Sequence, residues 1–171
     1  MAHTDYIRGG TGLSGGDVEQ NKIFTVDDAL NCTYTWDAGV AIGRYLQELK
    51  NGRIIATKCN QCNRIMLPPR LFCELCFRPC DDWVYVNDTG LLNTYSICYV
   101  NWDATRIEPG QTPHLPAVIE IDGASKGMGI MHLLGEVDPA DIKMGMKVKA
   151  VWKPEDERTG AITDIKYFKP F

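Results

Sequence analysis

Cys59, Cys62, Cys73 and Cys76 stand as Cys-x-x-Cys, ten intervening residues, Cys-x-x-Cys, a spacing that lets two tight turns aim four sulfurs at one point. The spacer is long enough for a short hairpin that sets the second turn opposite the first. Four soft thiolates in a closed site favour zinc and leave no position for water or substrate, so the expected role of the ion is structural. A rubredoxin-like iron centre uses the same four sulfurs, and ligand type alone leaves it open. A pair of disulfides is the other arrangement. The opening residues 1–17 carry no charged-then-apolar signal segment, which points to a reducing cytoplasm where disulfides are rare. Cys80 reads as a thiol outside the ligand set. Cys32 and Cys98 read as a loop and a strand-core residue, since neither has a nearby histidine or basic partner in sequence.

A chain of 171 residues has room for one ordinary domain or two small ones, and a ribbon of about 25 residues cannot bury a core without its metal. Apolar residues make up 44% and charged residues 23%, the balance of an ordinary globular protein. No apolar run approaches the roughly 18 residues needed to cross a bilayer. Formal net charge is −4, with 18 basic residues scattered among 22 acidic ones. Phosphate binding needs clustered Lys and Arg, so this pattern argues against a nucleic-acid partner.

Residues 1–36 carry five glycines and no sustained period, and read as a flexible extension. Asp37 is placed to cap a helix over 38–50, in which Ile42, Tyr45, Leu46 and Leu49 form one apolar stripe and Asn51-Gly52 ends the run. That stripe fits packing on the chain's own ribbon or on another protein. Residues 53–58 and 64–67 read as strands entering and leaving the first Cys-x-x-Cys turn, with Pro68 and Pro69 stopping further ladder pairing. From Asp82 the pattern becomes β, with strands expected over 83–86, 91–100, 115–121, 128–137, 146–152 and 161–168. Alternation is clearest where Val148, Ala150 and Trp152 face inward between lysines. The expected fold is therefore mainly β: an N-terminal helix, a rubredoxin-like zinc ribbon over 37–80 with that helix, then a five-stranded OB-fold β-barrel over 81–171.

The segments Tyr45–Ile54, Cys59-Asn60-Gln61-Cys62, Leu67-Pro68-Pro69-Arg70, Cys73-Glu74-Leu75-Cys76, Leu115-Pro116-Ala117-Val118 and Gly145-Met146-Lys147-Val148 together resemble one family. It is the acyl-CoA-associated zinc-ribbon/OB-fold family, catalogued as domain of unknown function thirty-five. The resemblance runs from about Trp36 to the C-terminus, and the residues before Trp36 exceed what the family leads one to expect. It implies a non-catalytic small subunit that shapes or stabilises the acyl-CoA site of a thiolase-like large subunit. The implied large subunit cleaves a β-ketoacyl-CoA with CoA, in a cytoplasmic heteromer with two copies of each chain. A thiolase-like aldolase as the partner is the alternative.

The residues agree with a non-catalytic role. His3, His114 and His132 lie in no motif with a nucleophile or carboxylate, so no catalytic residue is expected here. Tyr45, Leu46 and Arg70 are the first choice for contact with the partner, although all three also fit packing on the ribbon. The loop 101–116 holds Trp102, Arg106 and His114, and is expected to line the acyl or pantetheine path or simply to be solvated.

Overall fold

Ile54, Ile55, Ala56 and Thr57 are all buried, which a strand achieves only when something covers both of its faces. That strand is the centre of the N-terminal half. The computed structural model describes residues 12, 15–20, 22, 34–80, 82–101 and 103–171. The chain divides into two units, Met1–Trp36 and Asp37–Phe171. In the first, the short helix α1 (Gly15–Glu19) is followed by an ion pair of Lys22 with Asp17 at 3.5 Å. The other residues of the expected flexible extension before Tyr34 lie almost wholly outside the described ones.

In the second unit, α2 (Gly39–Lys50) is opened by Asp37, whose Oδ1 accepts from the Gly39 amide at 2.9 Å. It closes on Asn51 and on Gly52 at φ 70°. The strand with two covered faces is β1 (Ile54–Lys58). It pairs antiparallel with β2 (Ile65–Met66) on one side and with β5 (Asp82–Val86) on the other. Between them β3 (Phe72–Cys73) and β4 (Arg78–Pro79) form a two-stranded hairpin. After Met66 the ladder stops at Pro68-Pro69, and buried Thr57 instead accepts from the Arg70 amide at 3.0 Å.

The second sheet comprises β6 (Thr89–Tyr95), β7 (Pro116–Ile121), β8 (Gly129–Leu133), β9 (Lys147–Trp152) and β10 (Ile165–Pro170), in the order β10-β9-β6-β7-β8. Its edge strands meet at one parallel bridge, Leu134 to Phe168, reinforced by the Gly135 amide donating to the Phe168 carbonyl at 2.9 Å. Val148, Ala150, Ile119, Ile130, Leu92 and Phe168 fill its inner face. Gly90 is required there, because a Cβ would lie 2.1 Å from the Glu120 carbonyl oxygen across the ladder. This is the OB arrangement of five strands, with pairing resolved along four ladders.

Three expectations change. The strand 83–86 was assigned to the barrel, yet it completes the sheet of β1 because residues 82–86 match 54–58 in unbroken register. In α2 the buried residues are Ala41, Tyr45 and Leu49, whereas Ile42 is exposed. Small Ala41 lets the helix approach closely, which turns the stripe away from Ile42. Finally, the strand expected over 91–100 ends at Tyr95. Beyond it Cys98 pairs with His114 and Val100 with Arg106 through isolated bridges, which draw the loop 101–116 into a β-arm. Cys98 is accordingly half-buried on that arm and not in a strand core.

α2 also packs against the turn Ile162–Asp164. Asp164 is fully buried and accepts from the amides of Thr159, Gly160 and Ala161 at 3.0, 2.7 and 3.1 Å. Gly160, at φ 84°, provides the left-handed step that aims these amides inward. Burial works to raise the Asp164 pKa, but the three amides and Lys153 outweigh it and hold the carboxyl below its usual 3.8. A pKa depressed by folding contributes stability above the unfolded value, which is lost as pH falls through the folded one. Asp164→Asn should therefore lower stability by about 2 kcal/mol at neutral pH. In thermal melts the gap between variant and wild type should narrow below pH 3.8.

Tyr45 is 3% exposed with a hydroxyl that has no hydrogen-bond partner among the described residues, and its burial raises its pKa. Tyr45→Phe should leave the melting temperature unchanged or raise it, since an unpaired buried hydroxyl contributes only desolvation cost.

Candidate metal centre

A Cys-x-x-Cys turn converges on a point only if the chain reverses directly after the second cysteine. Both turns do so through a residue with positive φ: Asn63 at 58° after Cys62, and Phe77 at 51° after Cys76. The first turn is closed by the Cys59 amide donating to the Arg64 carbonyl at 3.0 Å, the second by the Phe77 amide donating to the Cys73 carbonyl at 2.9 Å. The four Sγ atoms lie within 4.8 Å of one another, with Cys62 and Cys73 3.6 Å apart. A tetrahedron of thiolates at the usual zinc–sulfur distance of about 2.3 Å has edges of about 3.8 Å. The donor set and its dimensions fit a closed zinc site, and no disulfide joins any of these cysteines.

The electrostatics call for a cation among the four sulfurs. Cys59 is lowered to about 7, chiefly by the Cys62 amide, with burial opposing and the Gln61 amide and the Cys62 and Cys73 thiols assisting. Cys76 is pushed up to about 12, first by its hydrogen bond with Cys62, then by burial and by Cys59 and Cys73. The cluster by itself thus stabilises one thiolate and keeps another protonated; a divalent cation removes that conflict by stabilising all four as thiolates. Glu74, inside the second turn, receives Arg64 Nε at 2.8 Å and Arg70 Nη1 at 3.3 Å. Partial burial acts to raise its pKa, but its own amide and the two guanidinium groups hold it below the usual range.

The remaining expected site residues are scattered. Tyr45 is interior and belongs to the core, as the ribbon-packing reading of it has it. Leu46 is partly buried against the same core. Arg70 is half exposed and clamps Glu74 across the two turns. On the β-arm, Arg106 is exposed and the His114 ring lies 3.0 Å from Asn101 Oδ1. Trp102 lies outside the described residues. Cys98, which has no histidine neighbour in sequence, is brought opposite His114 by the arm, but directs its thiol to the Val100 carbonyl at 3.3 Å. His132 Nε2 donates to the Ile162 carbonyl at 3.2 Å, and its ring meets Phe168 edge-on at 5.8 Å.

Sequence reading passed over a cluster on the second turn: Leu71, Phe72, Leu75 and Phe77 are all exposed. The available signal was four large apolar residues in the seven of Leu71–Phe77, with two cysteines already committed to the metal.

Comparison with known proteins finds the same two-part organisation. Residues 46–81 match the ChsH2 rubredoxin-like zinc ribbon domain and residues 83–153 the ChsH2 C-terminal OB-fold domain. A DUF35 domain-containing scaffold protein of Methanocaldococcus jannaschii is 30% identical over 120 residues, covering 68% of this chain and 81% of the relative. Its counterpart in Methanothermobacter thermautotrophicus is 24% identical over 120 residues, covering 68% and 86%. Among solved structures, a DUF35 family protein of unknown function from Sulfolobus solfataricus superposes with a TM-score of 0.58 at 26% identity, covering 78% of this chain and 85% of that one. The structure described as the Ltp2-ChsH2(DUF35) aldolase shares the fold at a TM-score of 0.57 and 20% identity, covering 80% and 98%.

Replacing Cys73 by Ser should remove the bound ion. Hydrogen exchange should then speed up over 54–80, with protection of β7 and β9 retained. Metal analysis of the purified wild type should give one zinc per chain.

Proposed function

This chain belongs to the DUF35 family of zinc-ribbon and OB-fold proteins, and on that premise we propose that it is the non-catalytic subunit of a heteromeric thiolase. The partner is a thiolase-like large subunit that cleaves a β-ketoacyl-CoA with CoA, and this chain shapes or stabilises its acyl-CoA site. The observation that carries the reading is the match of ribbon and OB parts, in order, to the ChsH2 domains, together with the likeness to proteins named as scaffolds. Such a chain works by rigidity: the metal fixes the ribbon, the β1–β5 ladder fixes the ribbon strands, and bond-breaking is left to the partner's own nucleophile and base.

The surface chemistry supports a protein or acyl-CoA partner over nucleic acid. On the outer face of β7 and β8 stand Pro116, Val118 and Glu120 beside Met131 and Leu133, with no cation among them to hold a phosphate. A shallow cavity of about 240 Å³ opens between Thr94, Ser96, Pro116, Val118 and Met131 at the root of the β-arm, and its lining suits an acyl or pantetheine chain. Arg106 and His114, farther along that arm, would lie on the approach to it, and Trp102, outside the described residues, is proposed for the same path. The heteromer would hold two copies of each chain in the cytoplasm.

A thiolase-like aldolase is the second reading for the partner, favoured by the fold shared with a structure whose description names an aldolase. Co-expression with the thiolase-like subunit and assay of free CoA separates the two. Consumption of CoA with each cleavage supports the thiolase; cleavage without CoA uptake supports the aldolase. Thioester turnover by the purified lone chain would sink both.

A further inference from the structure

The second metal turn carries a side chain that stability alone would not choose. Phe77 takes φ 51°, a left-handed conformation that a bulky residue adopts at a cost and that Asn or Gly takes more easily. Its counterpart in the first turn, one residue past the second cysteine, is Asn63 at φ 58°. Phe77 does not recover the cost by burial, being 89% exposed. Around it Leu75 is 62%, Phe72 61% and Leu71 47% exposed. Four large apolar residues held in water by a rigid turn form a patch of the kind that marks a protein contact, and strain at an exposed position points the same way.

We propose that this apolar tip is the anchor by which the chain seats on its enzyme partner, inserting into an apolar socket rimmed by carboxylates. The proposal rests on the scaffold reading above and deepens it by moving the contact from α2 to the second metal turn. The charge around the tip selects the occupant. Arg70 and Arg78 bracket Leu71–Phe77 in the chain; Arg64 and Arg70 engage the single carboxylate between them, Glu74, and Arg78 Nη1 donates to Gln61 Oε1 at 3.5 Å, so guanidinium groups outnumber carboxylates in this segment. A second copy docking tip to tip would set arginine against arginine, which disfavours self-association. An acidic rim on a different protein would meet those arginines and leave the aromatic rings to fill the socket, in the manner of interface hot spots.

Phe77→Asn gives the second turn the residue that the first already uses, so stability and binding should move in opposite directions. The melting temperature and the zinc content should be equal to wild type or higher, while affinity for the co-expressed thiolase-like subunit, measured by titration, should fall tenfold or more. Phe72→Ser should weaken binding similarly with the ion retained. Wild type that fails to bind the thiolase-like subunit overturns the scaffold reading itself. Wild type that binds, with both variants binding equally well, overturns only the tip. Sedimentation of the lone chain and flotation with phosphatidylserine vesicles complete the test. Self-association, or vesicle binding, lost in Phe77→Asn would assign the tip to a second copy or to a membrane surface and overturn the proposal.

Discussion

Four thiols confined within 4.8 Å cannot all ionise unless a cation sits among them, and the geometry of the N-terminal half follows from that requirement. A two-residue strand such as β2 or β3 has too little ladder to stand alone. The ion supplies the missing constraint, pinning both turns and with them the ends of β1 and β2. The Arg64–Glu74–Arg70 cluster spans the same two turns from outside, and the Arg70 amide secures the connecting segment to Thr57. Metal, ion pairs and a few short-range backbone hydrogen bonds thus hold a segment that has little interior of its own.

The ribbon and the OB sheet are continuous through β5. This strand completes the three-stranded sheet and is separated from β6 by Asn87 and Asp88 alone. The junction is tied by Trp152 Nε1 donating to Asp88 Oδ2 at 3.2 Å and by the Asn87 amide donating to the Asp122 carbonyl at 3.0 Å. On the outer side of β5, Arg44 of α2 lies 4.5 Å over Trp83 and Arg53 lies 4.9 Å over Tyr85, so helix and sheet are joined by polar tips as well as by the buried stripe. A scaffold built this way transmits position: a displacement at the metal reaches the OB sheet through one strand and two residues.

The parts of this fold legible from residues were those with a local cause. The cysteine spacing, the Asn51-Gly52 stop and the lysine-flanked alternation of β9 each depend on chain geometry within a few residues, and each is found where the spacing puts it. What failed depended on distant partners. Tyr45 and Leu46 lie on one helical stripe, but only the sheet beneath decides which is buried, and Ala41 decides how close that sheet comes. The β5 segment alternates well enough for either sheet; its register with β1 settles the question across more than two dozen residues of chain. Asp164 falls within the strand expected over 161–168 but lies in a turn before β10, and nothing in its neighbours reveals that three amides converge on it. The exposed cluster at Leu71–Phe77 was read as part of a metal motif, and the metal motif explains its cysteines but not its rings.

The long-range burial of Asp164 has a consequence for biosynthesis. α2 is complete at Lys50, yet one flank of it lies against the turn that Asp164 organises, near the end of the described chain. At about 5–20 residues added per second, that turn leaves the ribosome on the order of ten seconds after the helix does. The nascent helix therefore waits with only the ribbon sheet beneath it. A translation product arrested before Asp164 would display the uncovered side of the helix to chaperones, so a turn made late decides when a helix made early is safe.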